Sequence, residues 1–213
     1  MRPAFVVVLA TLAVASGALA ANGDPQQRIT RADQARAKSM LVRASDFNAG
    51  FTERPWPSGD SGFSCAAIDE SDLTITGRAT SPSFTATAEY VASTAVVYES
   101  RADANASWKR GTSKAGLDCL GLSVRRQLRA PGVRFVSFTR ISFPGRGDRS
   151  VAFRAIAAQQ GLRVYLDVVA MQVARAEASM AYVSVLSPPP QGEVRRLTAV
   201  VAKRAARAMR GSS

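Results

Sequence analysis

The sequence predicts an α+β fold: a mainly antiparallel sheet of about six strands with helices packed on it, and one disulfide. Three observations carry this expectation. Several runs alternate apolar and polar residues at period two, other stretches repeat apolar residues at helical spacing, and the only two cysteines allow a single pairing. Short turns between the alternating runs imply antiparallel neighbours, because a parallel crossover needs a dozen or more residues.

The elements follow in order. Arg2 precedes an apolar run over 4–14, and small residues stand at Ala18 and Ala20 before a polar stretch. That is the pattern of a secretory signal peptide cleaved after Ala20, and the run is shorter than the roughly 20 apolar residues of a membrane span. The expected organisation is a signal peptide over 1–20 and a single secreted domain over 21–213, with no transmembrane segment in the mature chain. Thr30, with Asp33 three residues on, is a capping-box-like start for a helix over 31–44. Residues 51–71, rich in Gly, Ser, Pro and Asp and including Trp56 and Cys65, read as a long surface loop tied down by the disulfide.

Two strands come next. Leu73, Ile75, Gly77 and Ala79 alternate against Thr74, Thr76 and Arg78, and a second run covers 91–99. Residues 101–115 read as a helix carrying Trp108, and Leu117, Leu120, Val124 and Leu128 recur at spacings of 3, 4 and 4, a second helical stripe with Arg125, Arg126 and Arg129 mainly off it. Four strands are expected at 133–143, 149–158, 162–173 and 178–187. After "SPPP", a last helix places Val194, Leu197, Val201, Ala205 and Ala208 on one face and Arg196, Lys203, Arg207 and Arg210 on the other. Its apolar face is expected to pack on the sheet and close the core.

In an exported chain Cys65 and Cys119 are expected to be bonded, since the compartment is oxidising. A metal site would need more ligands than exist, because the chain has no histidine and neither cysteine has a second one nearby. A thiol nucleophile would likewise lack its histidine base. Closing this loop of 55 residues stabilises the fold by about 4 kcal/mol on the chain-entropy account.

Charge is uneven along the chain. Residues 1–100 carry 8 basic and 10 acidic side chains, whereas 101–213 carry 20 and 6, within a net charge of +12. Such asymmetry suits either an anionic partner or simply solvated faces. Arg125, Arg126, Arg129, Arg196, Lys203, Arg207 and Arg210 are the candidate contacts to an anionic cell-envelope polymer or lipid surface. Nucleic acid is not the expected partner of an exported chain.

Catalytic patterns are scarce. Without histidine there is no Ser-His-Asp triad and no zinc-protease motif, none of the four lysines follows a serine by three residues, and no Gly-Lys pair offers a phosphate loop. "GRGDRS" over 145–150 departs from the dinucleotide fingerprint at its last position, and no cofactor is expected. Its "RGD", Arg146 to Asp148, reads as a turn between strands, and the sequon at Asn105 is expected to be unmodified. The acidic cluster Asp69, Glu70 and Asp72 is the one remaining source of a carboxylate pair for glycoside hydrolysis, and in a Ser-rich loop it is expected to be solvated.

The runs "TITGRATSPSF" and "VASTAVVYESRADANASW", the cysteine in "GLDCL", and "ASDFNAGF" after the first helix resemble secreted actinobacterial domains similar to the extracellular sensor region of PknH-type serine/threonine kinases. The resemblance covers most of the mature chain through loose motifs. It implies a mixed sheet with helices and a cleft for an extracellular ligand. This chain has one cysteine pair where the kinase sensor has two. The expected function is a secreted, non-catalytic ligand-binding or sensor-like domain for an unknown extracellular ligand. The alternatives are a cell-envelope glycan hydrolase using carboxylates and an envelope protein holding anionic polymers or lipids through its basic faces.

Overall fold

The computed structural model describes residues 25–55, 65–127 and 132–210. The segment expected to be a signal peptide lies wholly outside them, as do Trp56, Leu128 and Arg129. Alternation is realised as a nine-stranded sheet: β1 (Gln26–Gln27), β2 (Thr52–Arg54), β3 (Thr74–Thr80), β4 (Ser83–Thr85), β5 (Glu89–Tyr98), β6 (Val133–Ile141), β7 (Arg149–Gln159), β8 (Leu162–Val173) and β9 (Ala176–Val185). Neighbours run in the order β1-β3-β5-β9-β8-β7-β6, with β4 on β5 and β2 on β4. Among the described residues only β1 and β3 pair in parallel. The expectation of about six strands is corrected to nine. The six long strands are those the alternation marks, while β1, β2 and β4 span two or three residues, too few for a period-two pattern to register.

Four helices cover both faces: α1 (Arg31–Met40), α2 (Arg101–Thr112), α3 (Lys114–Gln127) and α4 (Gln191–Ala208). Alternation decides which helix each strand residue meets. Val169 and Met171 of β8, Met180 and Tyr182 of β9, and Val91 and Val97 of β5 pack with Ala37 and Met40 of α1 and with Val194, Leu197 and Val201 of α4. The opposite parity, Leu166 of β8, Ala181 and Val183 of β9, and Ala92 of β5, faces α3 through Val124. Both faces of the sheet are therefore covered, as a two-faced sheet requires.

Local chemistry sets the helix ends. Thr30 Oγ1 accepts the Asp33 amide at 3.1 Å, and Ser100 Oγ accepts the Asp103 amide at 3.0 Å. α1 stops at Met40, four residues before the expected end, because Leu41 turns extended and the Val42 amide donates to Ser93 Oγ of β5. The helix expected over 101–115 ends at Thr112. Ser113 is extended and its hydroxyl accepts the Gly116 amide, so it starts a new helix at a sharp corner. A Cβ on Gly116 would lie 2.2 Å from the Arg110 carbonyl oxygen, so this corner admits only glycine. The "RGD" stretch lies between β6 and β7, where Gly147 has a φ of +64° and the Asp148 amide donates to the Gln172 carbonyl. Among the described residues, no helix is long and apolar enough to cross a membrane.

Within the expected loop over 51–71, the described residues hold β2 and a 3-10 turn (Ala66–Ile68). Cys65, at the start of that turn, is bonded to Cys119 of α3 with the two Cα atoms 6.2 Å apart.

Candidate functional site

A cavity of about 140 Å³ opens between the α2–α3 corner, the 3-10 turn and the sheet face formed by β5, β7, β8 and β9. Its walls are aromatic and aliphatic: Trp108 of α2, Phe138 of β6, Phe153 of β7, Leu166 of β8, and Leu120 and Val124 of α3. Phe138 and Phe153 stack with ring centroids 5.4 Å apart. Small residues at the sheet, Ala155, Ala170, Ala178 and Ser179, leave the space that larger side chains would fill.

One end of the cavity is polar. Glu177 projects from β9, in register with Val96 of β5 and Gln172 of β8. Glu70 arrives from the segment after the 3-10 turn, and Ser107 from α2. The Tyr98 hydroxyl donates to Ser107 Oγ at 2.7 Å, and Ser107 Oγ in turn donates to Glu177 Oε2 at 3.5 Å. Glu177 Oε1 is shut off from solvent and has no hydrogen-bond partner among the described residues. Arg149 is close enough to act on Glu177 electrostatically, but its guanidinium lies 5.5 Å from the Trp108 ring centroid and donates to Gln172 and Asn105.

These surroundings alter proton affinities. Burial first, and then the Glu70 carboxylate, push the Glu177 carboxyl up to about 8, against the opposing pull of Ser107 and Arg149. Burial also raises Glu70, opposed by the Ser107 hydroxyl and by Arg110 and Arg78. The Tyr98 phenol, enclosed and facing both glutamates, is held well above its usual range. The pair can hold a proton at neutral pH, or release it to solvent when a cation takes its place.

The sequence-predicted residues are not brought together here. Of the acidic cluster, Asp69 caps the Ser71 amide at 3.0 Å and Asp72 takes two bonds from Arg110 at 2.6 and 2.8 Å, both outside the cavity. Glu70 corrects the expectation of a solvated cluster: it is 8 % exposed and lines the cavity, because the disulfide-anchored turn points it at the sheet. Arg125 and Arg126 are exposed on α3, while Arg196, Lys203 and Arg207 are exposed on α4, across the sheet from them, and Arg210, expected on the same helix, is exposed in the turn just after its end at Ala208. They form two separate basic faces. Arg196 is also engaged, donating to Glu193 and to the Asp46 carbonyl. Glu177, Ser107 and the aromatic walls went unremarked in the sequence as site residues. The signal that could have marked Glu177 is a lone carboxylate in "AEASMAYVSV", a strand otherwise fit for burial.

Glu177 carries a stability cost with a definite sign. The folded state keeps its proton up to about pH 8, whereas an ordinary glutamate releases it near 4.5. Between those values the folded state binds more protons, so stability falls as pH rises, by about 3 kcal/mol at pH 7. Glu177→Gln is expected to recover most of that loss at pH 7 and almost none at pH 4, read by urea unfolding. A variant no more stable than wild type at pH 7 would mean that the carboxyl is not strained there.

Among the described residues no group of three or more His, Cys, Asp or Glu side chains could hold a metal ion. No protein-family model matches the chain, and no curated protein matches it.

Proposed function

We propose that this chain is a secreted, non-catalytic binding domain that takes a small, largely apolar molecule into the cavity beneath α2 and α3. The observation that carries the reading is the cavity itself: aromatic and aliphatic walls around about 140 Å³, with convergent polar groups at one end. That is the usual make-up of a small-molecule site, and a dry cavity of about 150 Å³ accepts a benzene ring. The disulfide and the leader-like N-terminus support export. The resemblance to extracellular kinase sensor regions supports a role in ligand sensing.

The hydrolase reading has less support. Glycoside hydrolysis needs two carboxyls flanking a sugar with room for water. Asp69 and Asp72 are held outside the cavity, and the Glu70–Glu177 end is closed in among apolar walls. The reading of an anionic-polymer binder rests on the two exposed basic faces alone.

Calorimetric titration with toluene and indole tests the proposal, alongside Ala170→Leu, which fills the cavity from β8. Wild type is expected to bind at least one probe, with the affinity unchanged at about 1 M salt, where the Debye length is about 3 Å. Ala170→Leu, checked for folding by circular dichroism, is expected to weaken binding by about tenfold or more. Failure of both probes to bind, or binding indifferent to Ala170→Leu, would remove the cavity from the function.

A further inference from the structure

Resting on that reading, we infer that the ligand is a small amine, one ring or a short apolar chain ending in an ammonium group that sits on Glu177 and Glu70. The chain has 28 basic and 16 acidic residues, yet the only charged side chains among the described residues lining the cavity are these two glutamates. A site built for a carboxylate or phosphate in so basic a protein would be expected to use an arginine. The nearest one, Arg149, is instead turned over Trp108 and bonded to Gln172 and Asn105 in the wall.

The polar end also has a vacancy of donors. Among the described residues Glu177 Oε1 is enclosed and unpartnered, and Ser107 donates to Oε2 across a long 3.5 Å. A buried acceptor without a donor is costly, and a carboxylate without a cation more so. An ammonium group offers three donors and one positive charge, which answers the unpartnered oxygen and the mutual repulsion of the two carboxyls together. A neutral alcohol would supply one donor and no charge, and an anion would bring negative charge up against the two carboxyls. The apolar remainder of the amine meets Trp108, Phe138 and Phe153, whose ring faces favour a nearby cation.

Proton balance gives this assignment its own signature. Below about pH 8 the incoming ammonium keeps its own protons and the Glu177 carboxyl loses its proton to solvent, leaving a carboxylate–ammonium pair. Affinity therefore rises from pH 6 to pH 8, with up to one proton released per amine bound. The other charged groups acting on the pair are Arg149 from β7, Arg110 from α2, Arg78 from β3 and Asp72, and the Tyr98 phenol is neutral throughout this range.

Benzylamine, benzyl alcohol and benzoate differ in little but the headgroup, and calorimetry at pH 7.5 in two buffers of different ionisation enthalpy reads both affinity and proton release. Benzylamine is expected to bind about tenfold or more tighter than benzyl alcohol, with benzoate weakest, since a charge-assisted bond exceeds a neutral one by about that factor. Glu177→Gln should lose the benzylamine preference and the proton release while binding benzyl alcohol within about threefold of wild type; Glu70→Gln should weaken benzylamine alone. Benzyl alcohol or benzoate binding as well as benzylamine, or an amine preference that survives Glu177→Gln, overturns the amine assignment and leaves a binding domain for another ligand. Binding of none of the three would remove the proposed function as well.

Discussion

Replacing Asp33 with alanine is expected to destabilise the folded domain by about 3–5 kcal/mol, the cost of stripping one partner from a buried ion pair. Asp33, in the first turn of α1, is 5 % exposed. Its Oδ1 accepts from Arg175 at 2.8 Å and from Arg36 at 2.6 Å, and its Oδ2 accepts from Thr76 at 2.6 Å and from Arg175 at 3.0 Å. Arg175 sits in the turn between β8 and β9, so one carboxylate ties α1 to β3 and to the β8–β9 turn in the middle of the sheet. Packing there leaves little latitude: a Cβ on Gly77 of β3 would lie 2.3 Å from the Asp33 carbonyl oxygen. Without the carboxylate, the Arg175 guanidinium stays behind with only Thr76 and the Tyr98 carbonyl as acceptors.

The same pair predicts a pH dependence. Burial opposes ionisation of Asp33, but the bonds from Arg175, Thr76 and Arg36 outweigh it and hold the carboxyl well below the usual carboxylate range. A lowered folded-state value means that the stabilisation is complete above the unfolded value of about 4 and is lost as pH falls below it. Denaturant unfolding at pH 7 and pH 3 should therefore show the gap between wild type and Asp33→Ala narrowing at the lower pH. A loss under about 1 kcal/mol at pH 7, or a gap independent of pH, would mean that this network contributes no more than a surface pair does.

Much of the frame was legible before the structure. β8 runs over Leu162–Val173, the span expected from the sequence, because a strand buried on both faces between two long neighbours reads as a nearly continuous apolar run bounded by the turn residues on either side. The end of α1 was not legible. The sequence continues at helical spacing past Met40, and what stops it is Ser93, 51 residues from Val42, offering a better acceptor than the next helical turn. The cavity was hidden for the same reason. Glu70 and Glu177 meet only because the disulfide-anchored turn and β9 converge, and nothing local to either residue announces the other. The sequence also read the acidic cluster as one unit, whereas backbone direction splits it, sending Glu70 inward and Asp69 and Asp72 outward. The excess arginines were legible as exposed faces, since the α4 stripe of Val194, Leu197, Val201 and Ala205 fixes which side is left for charge.

Removal of the disulfide by the double change Cys65→Ala and Cys119→Ala is expected to cost about 4 kcal/mol, from the entropy returned to the unfolded chain when a loop with 54 residues of separation is opened. Free-thiol labelling of unfolded, unreduced wild type should find no thiols, and two labelled thiols would sink the staple. The bridge also has a local consequence that loop entropy does not contain. It holds Cys65 and Ile68 against Leu120 of α3, and the same short segment delivers Glu70 to the cavity while α3 supplies Leu120 and Val124 to its wall. Without the bridge, the 3-10 turn is held among the described residues by that small apolar contact and the link from Arg110 to Asp72 and the Asp69 carbonyl. Glu70 then spends more time in water, its charge acts less on Glu177, and the Glu177 carboxyl drifts back toward its ordinary range. The double variant should therefore bind benzylamine more weakly than wild type even where both are fully folded, with less proton release per amine bound. Unchanged binding in a folded variant would confine the bridge to global stability, and a stability loss under about 1 kcal/mol would contradict the entropic account.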